Sequence, residues 1–66
     1  MKITYDADAD AMYIYIVDRD VFKTKKINDN TLVDLDEEGN IIGMEILFVK
    51  KRMPDFLDEV ELEKLA

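Results

Sequence analysis

Thr31-Leu32-Val33-Asp34-Leu35-Asp36-Glu37-Glu38-Gly39-Asn40-Ile41-Ile42-Gly43-Met44-Glu45-Ile46-Leu47-Phe48-Val49 is the stretch that decides the fold. Two runs rich in aliphatic residues, 31–36 and 41–49, flank a polar segment with one glycine, the pattern of two antiparallel strands and a tight turn. Gly39 supplies the positive φ that such a turn needs. With Asp36-Glu37-Glu38-Gly39 as the loop, Leu35 is expected opposite Asn40 and Val33 opposite Ile42. That register gathers Val33, Leu35, Ile42, Met44, Ile46 and Phe48 on one face. A loop one residue shorter would mix Asp34 and Asp36 into it, so the hydrophobic pattern selects the longer loop. The other face carries Leu32, Asp34, Ile41, Gly43, Glu45, Leu47 and Val49, half of them apolar.

Outward from this hairpin the signals are shorter. Residues 2–5 alternate as a strand, Asp6-Ala7-Asp8-Ala9-Asp10 reads as a turn, and 11–17 as a strand with Met12, Ile14 and Ile16 on one face and Tyr13, Tyr15 and Val17 on the other. Asp18-Arg19-Asp20 is the next turn. Residues 21–27, with Lys23, Lys25 and Lys26, have the composition of an edge strand, and Asn28-Asp29-Asn30 turns the chain again. After Lys50-Lys51-Arg52-Met53, Pro54 and Asp55 give a helix start, and Phe56, Leu57, Val60 and Leu65 recur at helical spacing. The expected fold is a single α+β domain over 1–66: an antiparallel β-meander of four to five short strands with one C-terminal helix packed on a sheet face.

At 66 residues only about 60 % of the unfolded chain's surface is buried on folding, so the core is thin. The chain has no Cys and no His, which removes disulfides and the usual zinc ligands as supports, and oligomerisation is the expected substitute. Tyr13, Tyr15, Leu32, Ile41 and Leu47 leave the second sheet face partly apolar, a surface for a second subunit or a protein partner. The sequence also lacks Ser, Trp and Gln, so Ser/His, Cys/His and His-metal chemistry cannot be built. The expectation is a protein that is not an enzyme and carries no cofactor. A net charge of −7 opposes nucleic acid. No apolar run is long enough for a membrane span and the N-terminus opens into strand alternation, so the expected location is the cytoplasm.

Asp34 to Glu45 matches the twelve-residue calcium loop, with acids at Asp34, Asp36, Glu38 and Glu45 and glycine at Gly39. Both flanks are β-patterned where helices are required, and in the hairpin Glu45 lies about four residues from the Asp34 pair, roughly 13 Å. Calcium binding is therefore the alternative reading. Asp6, Asp8 and Asp10 fail the same template because Ala11 stands at the glycine position, and they read as a solvated turn. In a meander Lys25 and Lys26 approach Lys50, Lys51 and Arg52, most simply as charges that protect an edge.

The run Ile3-Thr4-Tyr5-Asp6, the block Asp10-Ala11-Met12-Tyr13-Ile14 and the block from Val33 to Leu47 resemble the domain of unknown function 2283 family over about residues 3–48. Met44 stands where the family usually has Ile. The resemblance implies a small prokaryotic protein with no established activity or catalytic residues, and it implies antitoxin-like partners of small basic proteins for some members. The functional expectation is a protein-interaction module that occupies a basic partner through Tyr13, Tyr15, Leu57, Val60 and Glu61, and that forms a homo-oligomer.

Overall fold

A computed structural model describes residues 1–55. Over these residues the chain forms five strands, β1 (Lys2–Asp6), β2 (Ala11–Tyr15), β3 (Lys23–Asn28), β4 (Thr31–Leu35) and β5 (Ile41–Leu47), then a short helix, α1 (Val49–Arg52). All neighbours are antiparallel and the order across the sheet is β1-β2-β5-β4-β3. The expected uninterrupted meander is thus corrected: β5 inserts between β2 and β4. The reason lies in composition. β5 has apolar residues on both faces and takes the centre, while β3, exposed along its whole length and bearing Lys23, Lys25 and Lys26, is pushed to an edge.

The β4–β5 hairpin closes one residue tighter than expected. Asp36 N–H donates to the Asn40 carbonyl (3.0 Å) and Gly39 N–H to the Asp36 carbonyl (3.1 Å), with Gly39 at φ 85°. Leu35 therefore pairs with Ile41, not Asn40. Left uncorrected, this shorter loop would turn Asp34 into the core face. A bulge prevents it: Ile42 has no partner on β4, so Asp34 pairs with Gly43 and Val33 with Met44. Val33 is two positions from its expected partner, and because the slip is even, Val33, Met44 and Ile46 still share a face. Ile42 is buried, and its carbonyl accepts from both Ile16 N–H (3.0 Å) and Val17 N–H (3.2 Å).

β5 ends at Leu47, two residues before the expected Val49. Phe48 adopts a left-handed conformation (φ 58°) and is exposed, so it leaves the core face assigned to it, while Val49 turns inward as the most buried side chain. The basic run Lys50-Lys51-Arg52 is thereby helical. The helix expected from Pro54 to Leu65 lies almost entirely outside the described residues, as do Leu57, Val60 and Glu61.

Phe48, at the N-cap position, has no side-chain acceptor for the first amides of α1. Asp10 supplies them from 40 residues away. Its carbonyl accepts from Val49 N–H (3.2 Å), Oδ1 from Lys50 N–H (2.7 Å) and Oδ2 from Lys51 N–H (3.1 Å). The Tyr5 hydroxyl also donates to Oδ1 (2.7 Å). Asp10 is itself left-handed (φ 52°), in a turn where Asp6 Oδ1 accepts from the amides of Asp8 (3.0 Å) and Ala9 (3.2 Å). These donors, Lys50 N–H first, hold the Asp10 carboxyl below its ordinary value, and donation to that carboxylate pushes the Tyr5 phenol up.

Two substitutions test this. Gly39→Ala is expected to cost about 1 kcal/mol in urea unfolding, since a Cβ there meets nothing within 4 Å and only the backbone is strained. Asp10→Ala should lower the melting temperature well beyond the effect of Asp8→Ala, whose side chain makes no such tie; equal effects would contradict the capping role.

Candidate functional site

β2, β5 and β4 present Tyr13, Tyr15, Gly43, Glu45, Leu32 and Asp34 on one face, because Tyr13 stands opposite Glu45 and Glu45 opposite Leu32, while Tyr15 stands opposite Gly43 and Gly43 opposite Asp34. The Tyr13 ring lies diagonally across Gly43 and its hydroxyl donates to Asp34 Oδ2. Thr24 Oγ1 on β3 donates to Asp34 Oδ1 (2.6 Å). One carboxylate thus links side chains from β2, β4 and β3 across the central strand. The glycine is required: a Cβ at Gly43 would collide with the Tyr13 phenol oxygen and stand 3.0 Å from Cζ and 3.1 Å from Cε1. The hydrogen bond to Asp34, with burial second, pushes the Tyr13 phenol up to about 12 from its ordinary 10.0. Tyr15 packs against Tyr13, ring centroids 4.3 Å apart, and Lys2 Nζ sits 5.5 Å from the Tyr15 ring centre.

The connection from β2 to β3 lies beside this face and forms the wall of a groove of about 530 Å³ lined by Lys2, Tyr13, Tyr15, Val17, Arg19 and Val21. A second groove of about 550 Å³, shared at Arg19 and Val21, continues along Phe22, Asp36, Glu37 and Glu38. Arg19 anchors the connection by donating to Asp36 Oδ2 (3.0 Å). Asp36 is buried, and its Oδ1 accepts from the amides of Asn40 (2.9 Å) and Glu38 (3.0 Å), its Oδ2 from Asn40 Nδ2 (3.2 Å). These donors, the Asn40 amide foremost, hold its carboxyl below the ordinary 3.8. The end of the sheet around the grooves exposes large apolar side chains: Tyr15 (46 %), Val17 (43 %), Val21 (53 %), Phe22 (66 %) and Ile41 (48 %).

Two acids of the calcium template are spent differently. Asp36 binds its own loop and Arg19, and Asp34 binds Tyr13 and Thr24. Glu45 sits two positions from the Asp34–Gly43 pair, closer than expected, yet among the described residues no three acidic side chains converge as a metal site. At the opposite end of the sheet, Lys26 approaches Asp29 (3.8 Å), and Asp29 lines a cleft with Phe48, Lys51 and Arg52. An acid therefore stands between the lysines of β3 and the basic helix. Among the described residues no helix is long and apolar enough to cross a membrane.

Sequence reasoning placed Tyr13, Tyr15 and Val17 together and missed Val21, Phe22 and Arg19 as surface-forming residues. A signal was present, since Val21-Phe22 follows the charged turn Asp18-Arg19-Asp20 directly and precedes a lysine-rich edge. Gly43 likewise announced itself as a glycine inside a strong strand.

Residues 2–50 match the model of a family described as protein of unknown function, DUF2283. The chain belongs to that family. The match spans all five strands and ends within α1, so it covers the whole sheet and the residues of the Tyr13–Asp34 link. No curated protein and no solved structure matches the chain.

Two measurements probe the site's architecture. Gly43→Ala is expected to destabilise by about 1–3 kcal/mol through overpacking, and the loss should shrink when Tyr13 is also truncated to Ala. Because the Tyr13 phenol is raised in the folded chain, its contribution is complete below pH 10 and is lost as pH rises towards 12. Stability of the parent chain should thus fall more steeply across that window than that of Tyr13→Phe; parallel curves would refute the link.

Proposed function

We propose that this protein is a non-catalytic, cytoplasmic protein-interaction module that takes a basic protein partner on the loop end of its sheet, as the antitoxin-like half of a pair would. One observation carries the reading: the exposed run of Tyr15, Val17, Val21, Phe22 and Ile41 is flanked by Asp18, Asp20, Glu37 and Glu38. Apolar and aromatic residues that stay exposed together on a small protein form the kind of patch that partners desolvate. The surrounding carboxylates select the sign of the partner, and a net charge of −7 draws it in at long range. Arg19 does not cancel this rim, since its guanidinium is spent on Asp36. The C-terminal run around Leu57, Val60 and Glu61 belongs to the same reading, its apolar spacing supporting a helix packed on a sheet face. The thin core supports self-association alongside it.

The test is a stoichiometric pull-down with the tagged chain and with a Val21→Asp/Phe22→Asp variant of unchanged melting temperature. Recovery of one basic protein at fixed ratio by the parent, weakened by salt and lost with the variant, is the expected result. Equal recovery by both chains, or no protein at fixed ratio, would overturn the proposal.

A further inference from the structure

Among the described residues the sheet has two free edges, and they differ in chemistry. β3 presents Lys23-Thr24-Lys25-Lys26-Ile27-Asn28. Paired antiparallel with a second copy of itself about a two-fold axis at Lys25 or at Lys26, it would set that lysine against its own copy, a like-charge contact that opposes association. β1 presents Lys2-Ile3-Thr4-Tyr5-Asp6, bonded to β2 on one side only. Turned about a two-fold axis at Thr4, this strand is complementary to itself: Lys2 meets the second copy's Asp6, Ile3 meets its Tyr5, and Thr4 meets its Thr4. Each is a favoured cross-strand combination, respectively an opposite-charge pair, an aliphatic–aromatic pair and a threonine pair.

We propose that β1 is a homodimerisation edge, and that two copies pair antiparallel through it with Thr4 on the two-fold axis to give one continuous ten-stranded sheet. The occupant is a second copy because the charge order along the strand fits its own reverse. An axis normal to the sheet keeps like faces together, so Ile3 and Tyr5 join the face that carries Met12, Ile14, Met44 and Ile46 to its counterpart. Ile3 is 40 % exposed in the single chain, and pairing covers it. The strand is held ready: the Tyr5 hydroxyl is fixed on Asp10, and Asp6 Oδ1 holds the following turn while its other oxygen makes no hydrogen bond within the described residues. Lys2 lies over Tyr15, on the face where the second copy's Asp6 arrives. This inference uses a different edge from the apolar loop end and goes beyond the partner reading; either can fail alone.

The parent chain contains no cysteine, so single-cysteine variants report the register directly. At the axis the two Thr4 positions are direct neighbours, within the roughly 4.4–6.8 Å Cα separation of a disulfide, whereas the two Lys2 positions are about 13 Å apart at 3.3 Å per residue. Under mild oxidation Thr4→Cys is expected to form a covalent dimer and Lys2→Cys to stay uncrosslinked. Sedimentation equilibrium of the cysteine-free chain should show a dimer, and Lys2→Glu, which sets like charges opposite Asp6 twice per dimer, should raise its dissociation constant about ten-fold at low salt. A chain that stays monomeric up to millimolar concentration, or Lys2→Cys crosslinking as readily as Thr4→Cys, would overturn the proposal. An unchanged dissociation constant for Lys2→Glu would also overturn it.

Discussion

The pairing of β2 with β5 joins two pieces that each form locally, and the rest of the sheet is arranged around it. β1 and β2 are a hairpin, and β3, β4 and β5 follow one another as two more. Among the described strand pairs only β2–β5 joins distant segments, Ala11 with Leu47 and Tyr15 with Gly43, at the loop-closure entropy of the intervening chain. Three features fasten the junction. The bulged Ile42 carbonyl collects the amides of Ile16 and Val17, the Tyr13 ring crosses Gly43 to Asp34, and Asp10 binds the amides that follow β5. They lie at the two ends and in the middle of the same seam.

Three aspartates of this acidic chain are thereby structural acceptors. Asp10 caps a helix whose own N-cap residue cannot, Asp34 gathers hydroxyls from β2 and β3, and Asp36 satisfies the amides of its own loop together with Arg19. The resemblance of 34–45 to a calcium loop has a physical origin in this overlap. A tight turn and a cation both ask for closely spaced carboxylates and a glycine, and here backbone amides, the Asn40 side chain and Arg19 occupy the oxygens of Asp36.

A sheet this small divides its surface between tasks. One end concentrates carboxylates and exposed apolar side chains, one edge carries lysines that discourage pairing, and the other edge carries a strand that matches its own reverse. Self-association and capture of a different protein would therefore use different parts of the sheet that meet at Lys2, which lines the first groove and lies over Tyr15.

Periodicity alone placed all five strand regions, the turn glycine at 39 and the two-faced character of β2, because alternation and φ preference are local properties. The family was legible too, since its residues lie within short blocks. Strand order was not, because which strand takes the centre is settled by comparing the burial of all five at once. The Ile42 bulge escaped for the same reason: the tighter loop and the bulge each shift the register by one, and their effects on facing cancel, so the pattern 33, 44, 46 fits both arrangements. Within the candidate site, Tyr13, Tyr15 and Val17 could be read from alternation, whereas Arg19, Val21 and Phe22 acquire their place only when the connection from β2 to β3 is laid against the Asp36 turn. Asp10, separated from Lys50 by forty positions, became a helix cap through tertiary structure alone, since no local pattern relates a turn residue to amides at the far end of the chain.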